Sequence, residues 1–226
     1  MISDEFDYDQ IRLGSEHFSI KQYKDSIYRG EIHPKTSKRH GKGVIVYDKG
    51  RVYEGEWRKD KRQGRGFELF ANGSTYQGEY DGGKANGKGL YTWHNGETYE
   101  GQFKGGQKEG KGLWKGVRGD SYLGQWANNK ADGYGVHTWV VGDRYEGQWR
   151  GCMREGNGTD FFSNGDVYIG EYARGLPEGE GQYKWSNGDT FVGTFMRGMK
   201  HGRGKWRQPP PKEEEPQKYN NFQGTY

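Results

Sequence analysis

Tyr76-Gln77-Gly78-Glu79-Tyr80, followed by Gly87-Lys88-Gly89 and Asn95-Gly96, leads straight into Tyr99-Glu100-Gly101-Gln102-Phe103 and Gly110-Lys111-Gly112, so one short pattern is being reused. Its first aromatic recurs as Tyr53, Tyr76, Tyr99, Tyr122, Tyr145, Tyr168 and Phe191, always 23 residues apart. Glycine follows two residues after each, from Gly55 to Gly193, and a Gly-x-Gly pair follows later, from Gly64/Gly66 to Gly202/Gly204. An earlier copy starts at Tyr28, with Gly30 and Gly41/Gly43 and a loop two residues longer. Eight units result, starting at 28, 53, 76, 99, 122, 145, 168 and 191 and ending at Trp206. A period of this length marks an array in which no unit buries its apolar face alone and neighbours must cover it.

Within a unit, Tyr53-Glu54-Gly55-Glu56-Trp57 alternates apolar and polar residues, as does the stretch from Gly64 to Phe70. Two strands per unit follow, about sixteen in all. Between units stand Asn72-Gly73, Asn95-Gly96, Asn164-Gly165 and Asn187-Gly188, signals for a two-residue hairpin turn at positive φ; Lys49-Gly50, Arg118-Gly119 and Val141-Gly142 keep the register. Strand alternation puts Tyr53, Gly55, Trp57, Gly64, Gly66 and Phe70 on one face and leaves Glu54, Glu56 and Arg65 on the other, which reads as charged. Glycine weakens a strand, so its repetition opposite large rings implies rings lying on bare backbone. A late aromatic recurs as Tyr47, Phe70, Trp93, Trp139, Phe162 and Trp185, failing at Gly116; these rings are candidates for an aromatic interaction face. The fold expected is all-β: an elongated, twisted, single-layer antiparallel meander of β-hairpin repeats.

Composition agrees with a thin object. The 226 residues are 30% hydrophobic and 15% aromatic, with 41 glycines, and mean hydropathy is −1.24. Residues 1–27 precede the first unit and are expected to cap the sheet edge or to bind a partner. Residues 207–226 carry Pro209-Pro210-Pro211-Lys212-Glu213-Glu214-Glu215-Pro216 and read as an extended tail. The start, Met1-Ile2-Ser3-Asp4-Glu5-Phe6-Asp7, lacks a basic region and an apolar core, and the single Cys152 builds no disulfide framework, so a cytosolic location is expected.

Catalytic chemistry finds no foothold. Glu56, Glu79 and Glu171 occupy one repeated place, filled elsewhere by Gln102, Gln125, Gln148 or Thr194, and read as a solvated strand face. Gly82 to Gly89 and Gly105 to Gly112 imitate a phosphate loop but end in glycine where a hydroxyl must reach magnesium. His17, His33, His40, His94, His137 and His201 show no metal spacing, so no metal and no cofactor is expected. With 35 basic against 31 acidic residues the surface is mixed, and nucleic acid is not an expected ligand.

Charge along the intra-unit loops is uneven. His33–His40 carries Lys35, Lys38 and Arg39, and Arg58–Gln63 carries Arg58, Lys59, Lys61 and Arg62 against Asp60, so each is net +3 while three later loops sum to zero. Successive loops should line one edge, making these seven bases a candidate patch for an acidic protein tail or anionic phospholipid headgroups.

Tyr-x-Gly-x-aromatic, a six-residue loop, Gly-x-Gly, and Asn-Gly before the next copy resembles the MORN repeat (membrane occupation and recognition nexus) over residues 28–206. The departures are the longer first loop, Phe191 for tyrosine and Gly116 for an aromatic. The resemblance implies a non-catalytic scaffold. Family members organise the cytoskeleton, build radial spoke heads in motile cilia, anchor membranes at junctions, or flank lipid-kinase and methyltransferase domains. For this chain it implies protein partners in a large axonemal or other cytoskeletal assembly, with a peripheral membrane tether as the alternative and homo-oligomerisation left open.

Overall fold

A computed structural model describes residues 15–209. These form seventeen strands in one open sheet, from β1 (Phe18–Gln22), β2 (Ser26–Ile32) and β3 (Arg39–Tyr47) to β17 (Met199–Arg207). Each strand pairs antiparallel with the next: β4 (Val52–Arg58) with β5 (Lys61–Leu69), β6 (Thr75–Asp81) with β7 (Lys84–Thr92), β8 (Thr98–Lys104) with β9 (Gln107–Lys115), and so onward. Sixteen strands come from the eight units; β1 is the seventeenth, laid along the edge of β2 with Ile20 opposite Arg29. The remaining residues of both terminal segments, 1–14 and 210–226, lie outside the described residues.

Rings rest on glycine as the spacing implies. Gly66 stands opposite Gly55 on one side and Gly78 on the other, so a bare strip crosses the sheet. At Gly89 an added Cβ would meet Tyr76 Cε2 at 2.6 Å and Cζ at 2.7 Å, so no larger residue fits beneath that ring. Tyr76 Oη donates to the Glu79 carbonyl at 2.9 Å, and Tyr99 Oη to that of Gln102 at 3.0 Å. The phenol group is thereby satisfied in a site closed to water. Tyr76 meets Tyr80 and Phe103 edge-on at 5.2 and 5.1 Å, and Tyr99 meets Phe103 and Trp126 at 5.2 and 5.1 Å. This herringbone joins every unit to the next, each pair contributing about 0.5–1.5 kcal/mol beyond its buried area.

The glutamate place has a structural duty that alternation did not reveal. A bulge follows the first glycine of each unit, for example between Gly55 and Glu56. Glu56 Oε1 then accepts the Arg65 backbone N–H at 3.0 Å, and Gln102 and Gln125 do the same for Lys111 and Tyr134 at 3.0 and 2.7 Å. Glutamate and glutamine interchange because only an acceptor oxygen is needed. Gly64, at φ +61, sits directly under that carboxyl.

The two turn classes are exchanged relative to the sequence reading. From the second unit on, the intra-unit connections are two-residue turns with both residues at positive φ, among them Lys59-Asp60 (50° and 68°), Asn128-Asn129 (49° and 69°) and Gly105-Gly106 (60° and 90°), while the first unit keeps a longer loop between Ile32 and Arg39. Asn-Gly sits instead in a wider connection, closed by Phe70 N–H to the Ser74 carbonyl (2.8 Å) and Gly73 N–H to the Phe70 carbonyl (2.9 Å), with Gly73 at φ +84. Asn72 Oδ1 accepts the Ser74 N–H at 3.0 Å. That side-chain turn leaves the left-handed position to glycine.

Candidate interaction surfaces

The tight turns do line one edge. Asp60 N–H bonds the Arg39 carbonyl, Gly83 that of Arg62, Gly106 that of Ala85, and the series continues to Gly198 with Pro177, all at 2.8–3.1 Å. Of the seven candidate bases, Lys35, Lys38, Arg58, Lys59 and Lys61 are exposed along that edge. Arg39 and Arg62 turn inward. The Arg39 guanidinium lies 4.2 Å over the Trp57 ring and 3.1 Å from the Asp60 carboxylate. Burial would raise Asp60, but the Arg39 backbone N–H and guanidinium outweigh it and hold the carboxyl below its ordinary range.

Arg62 reaches Glu68, whose side chain is 3% exposed, at 2.7 Å, and Arg51 reaches the same carboxylate. Burial would lower the Arg62 pKa, yet the Glu68 charge raises it on balance. Tyr80 Oη donates to Glu68 at 2.9 Å; four units later Arg154, Asp160 and Tyr172 repeat this arrangement, with both bonds to Asp160 at 2.6 Å. These buried carboxylates are structural residues that sequence reading missed. Their parity with the ring positions was the available signal.

The late aromatics Tyr47, Phe70, Trp93, Trp139 and Phe162 are half-buried against the core, and Trp185 packs on Tyr183 at 4.7 Å and Trp206 at 4.4 Å. Cations cover part of them: Lys108 Nζ is 5.1 Å from the Trp93 ring, Lys200 Nζ 4.2 Å from Trp185. Trp114 fills the gap at Gly116, where an added Cβ would meet its Cη2 at 2.9 Å. His137 stacks on Trp139 (4.3 Å, 11°) and beside Trp149 (6.0 Å, 28°), its Nε2 buried without a hydrogen-bond partner. Burial lowers its pKa; Asp120 opposes the shift and Arg154 adds to it. The unfolded chain therefore takes up this proton first. His137 stabilises the fold fully above pH about 6.5, and that contribution falls away as pH drops toward the lower folded value. Thermal melts should show a smaller loss between pH 7 and pH 5 in His137→Phe than in the native chain; equal losses would contradict the assignment.

The second face differs from the charged surface expected of it. Glu54 is buried, in register between Val44 and Phe67, and a central stripe holds Phe67, Leu90, Leu113 and Leu123. Here an open trough of about 750 Å³ crosses from β5 to β10 (Ser121–Ala127). Arg65, Lys88 and Lys111 stand exposed along it, one per unit, and Glu100 lies in its floor. The signal was present in the sequence: the residue after each Gly-x-Gly is apolar in the first five units (Val44, Phe67, Leu90, Leu113, Val136) and polar in the last three (Thr159, Gln182, Lys205).

No curated protein matches the chain. Among solved structures, the G-box domain of the microcephaly protein CPAP is similar at TM-score 0.50 and 11% identity, covering 85% of this chain and 99% of that domain. The TCP10 domain of Danio rerio CPAP gives TM-score 0.43 and 13% identity over 84% and 94%. The Drosophila melanogaster SAS-4 TCP domain, solved with a proline-rich motif of Ana2, gives 0.41 and 14% over 65% and 84%. At these identities the likeness is one of fold alone. The model of the MORN repeat matches residues 37–50, 53–75, 76–98, 99–121, 122–144, 145–167, 168–190 and 191–209, one match for each unit read from the aromatic ladder. The chain belongs to the MORN repeat family.

Proposed function

We propose that this chain is a non-catalytic scaffold that holds other proteins within a large cytoskeletal assembly, and that its setting is a motile-cilium axonemal complex such as a radial spoke. The observation that carries the scaffold reading is the division of labour along the repeat. Residues that recur from unit to unit are occupied in packing: tyrosine on glycine, and glutamate or glutamine on the bulge. Many of the residues that vary are displayed, on the turn edge and in the second-face trough. The ciliary setting rests on the resemblance to radial spoke head proteins. Affinity purification of the tagged chain from its own cells, read by mass spectrometry, tests it. Axonemal proteins are expected, and recovery without any cytoskeletal protein would contradict the reading.

The exposed bases Lys35, Lys38, Arg58, Lys59 and Lys61 support a second reading, a peripheral tether to anionic phospholipid. Flotation with vesicles that contain or lack phosphatidylserine separates the two. A lipid-dependent shift abolished by charge reversal at Arg58, Lys59 and Lys61 favours the tether; no shift removes it.

A further inference from the structure

We propose that the second-face trough takes a polyproline-II segment of a partner protein that carries an acidic side chain at every third residue. The proposal deepens the scaffold reading and rests on it. Phe67, Leu90 and Leu113 stand on alternate strands β5, β7 and β9, so the stripe repeats every two strand spacings, about 9.6 Å. A polyproline-II helix turns once in three residues and rises about 9.3 Å in doing so. The two periods agree to within a few tenths of an ångström per unit. An extended strand, repeating at about 6.8 Å, and an α-helix, with a pitch of about 5.4 Å, do not match.

The chemistry is laid out in parallel rows. Arg65, Lys88 and Lys111 each lie two residues before a stripe residue, on the same face and strand, so a basic row runs beside the apolar one at the same period. Proline rings fit the apolar row, and carboxylates at every third position fit the basic row. Glu79 and Gln102 alternate with the bases but are directed onto the bulge glycines Gly87 and Gly110, and Glu100, the second carboxylate of the trough, stands between Leu90 and Leu113. Lys42 and Val44 continue both rows toward the amino-terminal end. Toward the other end the pairing stops: Tyr134, Asn157 and Glu180 replace the bases, and Thr159 and Gln182 the apolar residues. Three units set the bound segment at roughly nine to ten residues. Its backbone is stiff before binding, which reduces the ordering cost.

Fluorescence anisotropy of the full chain with labelled (Glu-Pro-Pro)5 is the test. Saturable binding is expected, at least tenfold weaker for (Glu-Pro)7, whose acids fall on all sides of the helix, and for (Glu-Gly-Gly)5, which keeps the charge spacing without the stiffness. Arg65→Glu/Lys88→Glu/Lys111→Glu should lose at least tenfold in affinity, while Arg58→Glu/Lys59→Glu/Lys61→Glu on the turn edge should keep it. In the native chain, carbodiimide should couple the peptide to Lys88 and Lys111, a readout that needs no variant. Absence of binding, equal binding of all three peptides, or loss through the turn-edge reversal alone would overturn the proposal. The purification of cytoskeletal partners reads the scaffold function independently of these results.

Discussion

Tyr99→Ala is expected to lower stability by about 3–5 kcal/mol and to divide the array into two separately melting parts. Tyr99 is 0% exposed, touches rings in its own unit and the next, covers the glycines at 101 and 112, and closes a hydrogen bond to the Gln102 carbonyl. In a stacked array each unit is held only by its neighbours, so a cavity in the fourth unit weakens the junction that couples the two halves. Urea unfolding followed by tryptophan fluorescence should change from one transition to two. Tyr99→Phe removes only the hydroxyl bond and should cost about 1 kcal/mol with one transition retained, as Phe191 already stands at this place in the last unit. A single transition shifted by less than 1 kcal/mol in Tyr99→Ala would contradict the herringbone account.

Arg154→Met is expected to cost about 3 kcal/mol, because it strands a buried carboxylate rather than because the ion pair is itself strong. Asp160 is 5% exposed and, among the described residues, its Oδ2 accepts from Arg154 and Tyr172, both at 2.6 Å. The same guanidinium donates to the Gly175 carbonyl at 2.7 and 3.1 Å, tying one tight turn to the next unit. Arg154→Met/Asp160→Leu should recover most of the loss, since an apolar pair replaces the charge pair. Glu68 is the internal control: two arginines serve it, so removing the half-exposed Arg51 should cost well under half as much. If the double variant is no more stable than Arg154→Met, the loss lies in the turn contact.

The period of the aromatics revealed the hairpin array, the count of units and the ring-on-glycine packing, because each depends on contacts inside one unit or with the next. The turn assignment failed because Asn-Gly is compatible with two hairpin geometries, and the Asn72 side-chain bond that selects between them is visible only in three dimensions. Glu56 is exposed, as the alternation implies, but its bond to the Arg65 N–H was not legible because strand alternation carries no warning of a bulge. Glu68 and Asp160 were overlooked because their six homologous places hold Ile45, Tyr91, Trp114, His137, Tyr183 and Trp206, and a charge among rings reads as variation until its arginine is placed beside it. The trough is illegible for a related reason: Phe67, Leu90 and Leu113 are each flanked along the chain by glycine and by polar or tyrosine-face residues, and only the pairing of successive strands brings them into line.

The working surface of the array can be read directly in its native complex. The tagged chain would be purified with its partners, cross-linked at lysine and analysed by mass spectrometry. The account predicts links from other proteins concentrated at Lys88 and Lys111, on the face opposite the tyrosines. Links confined to Lys35, Lys59 and Lys61 on the turn edge, or a chain purified without any protein partner, would contradict it.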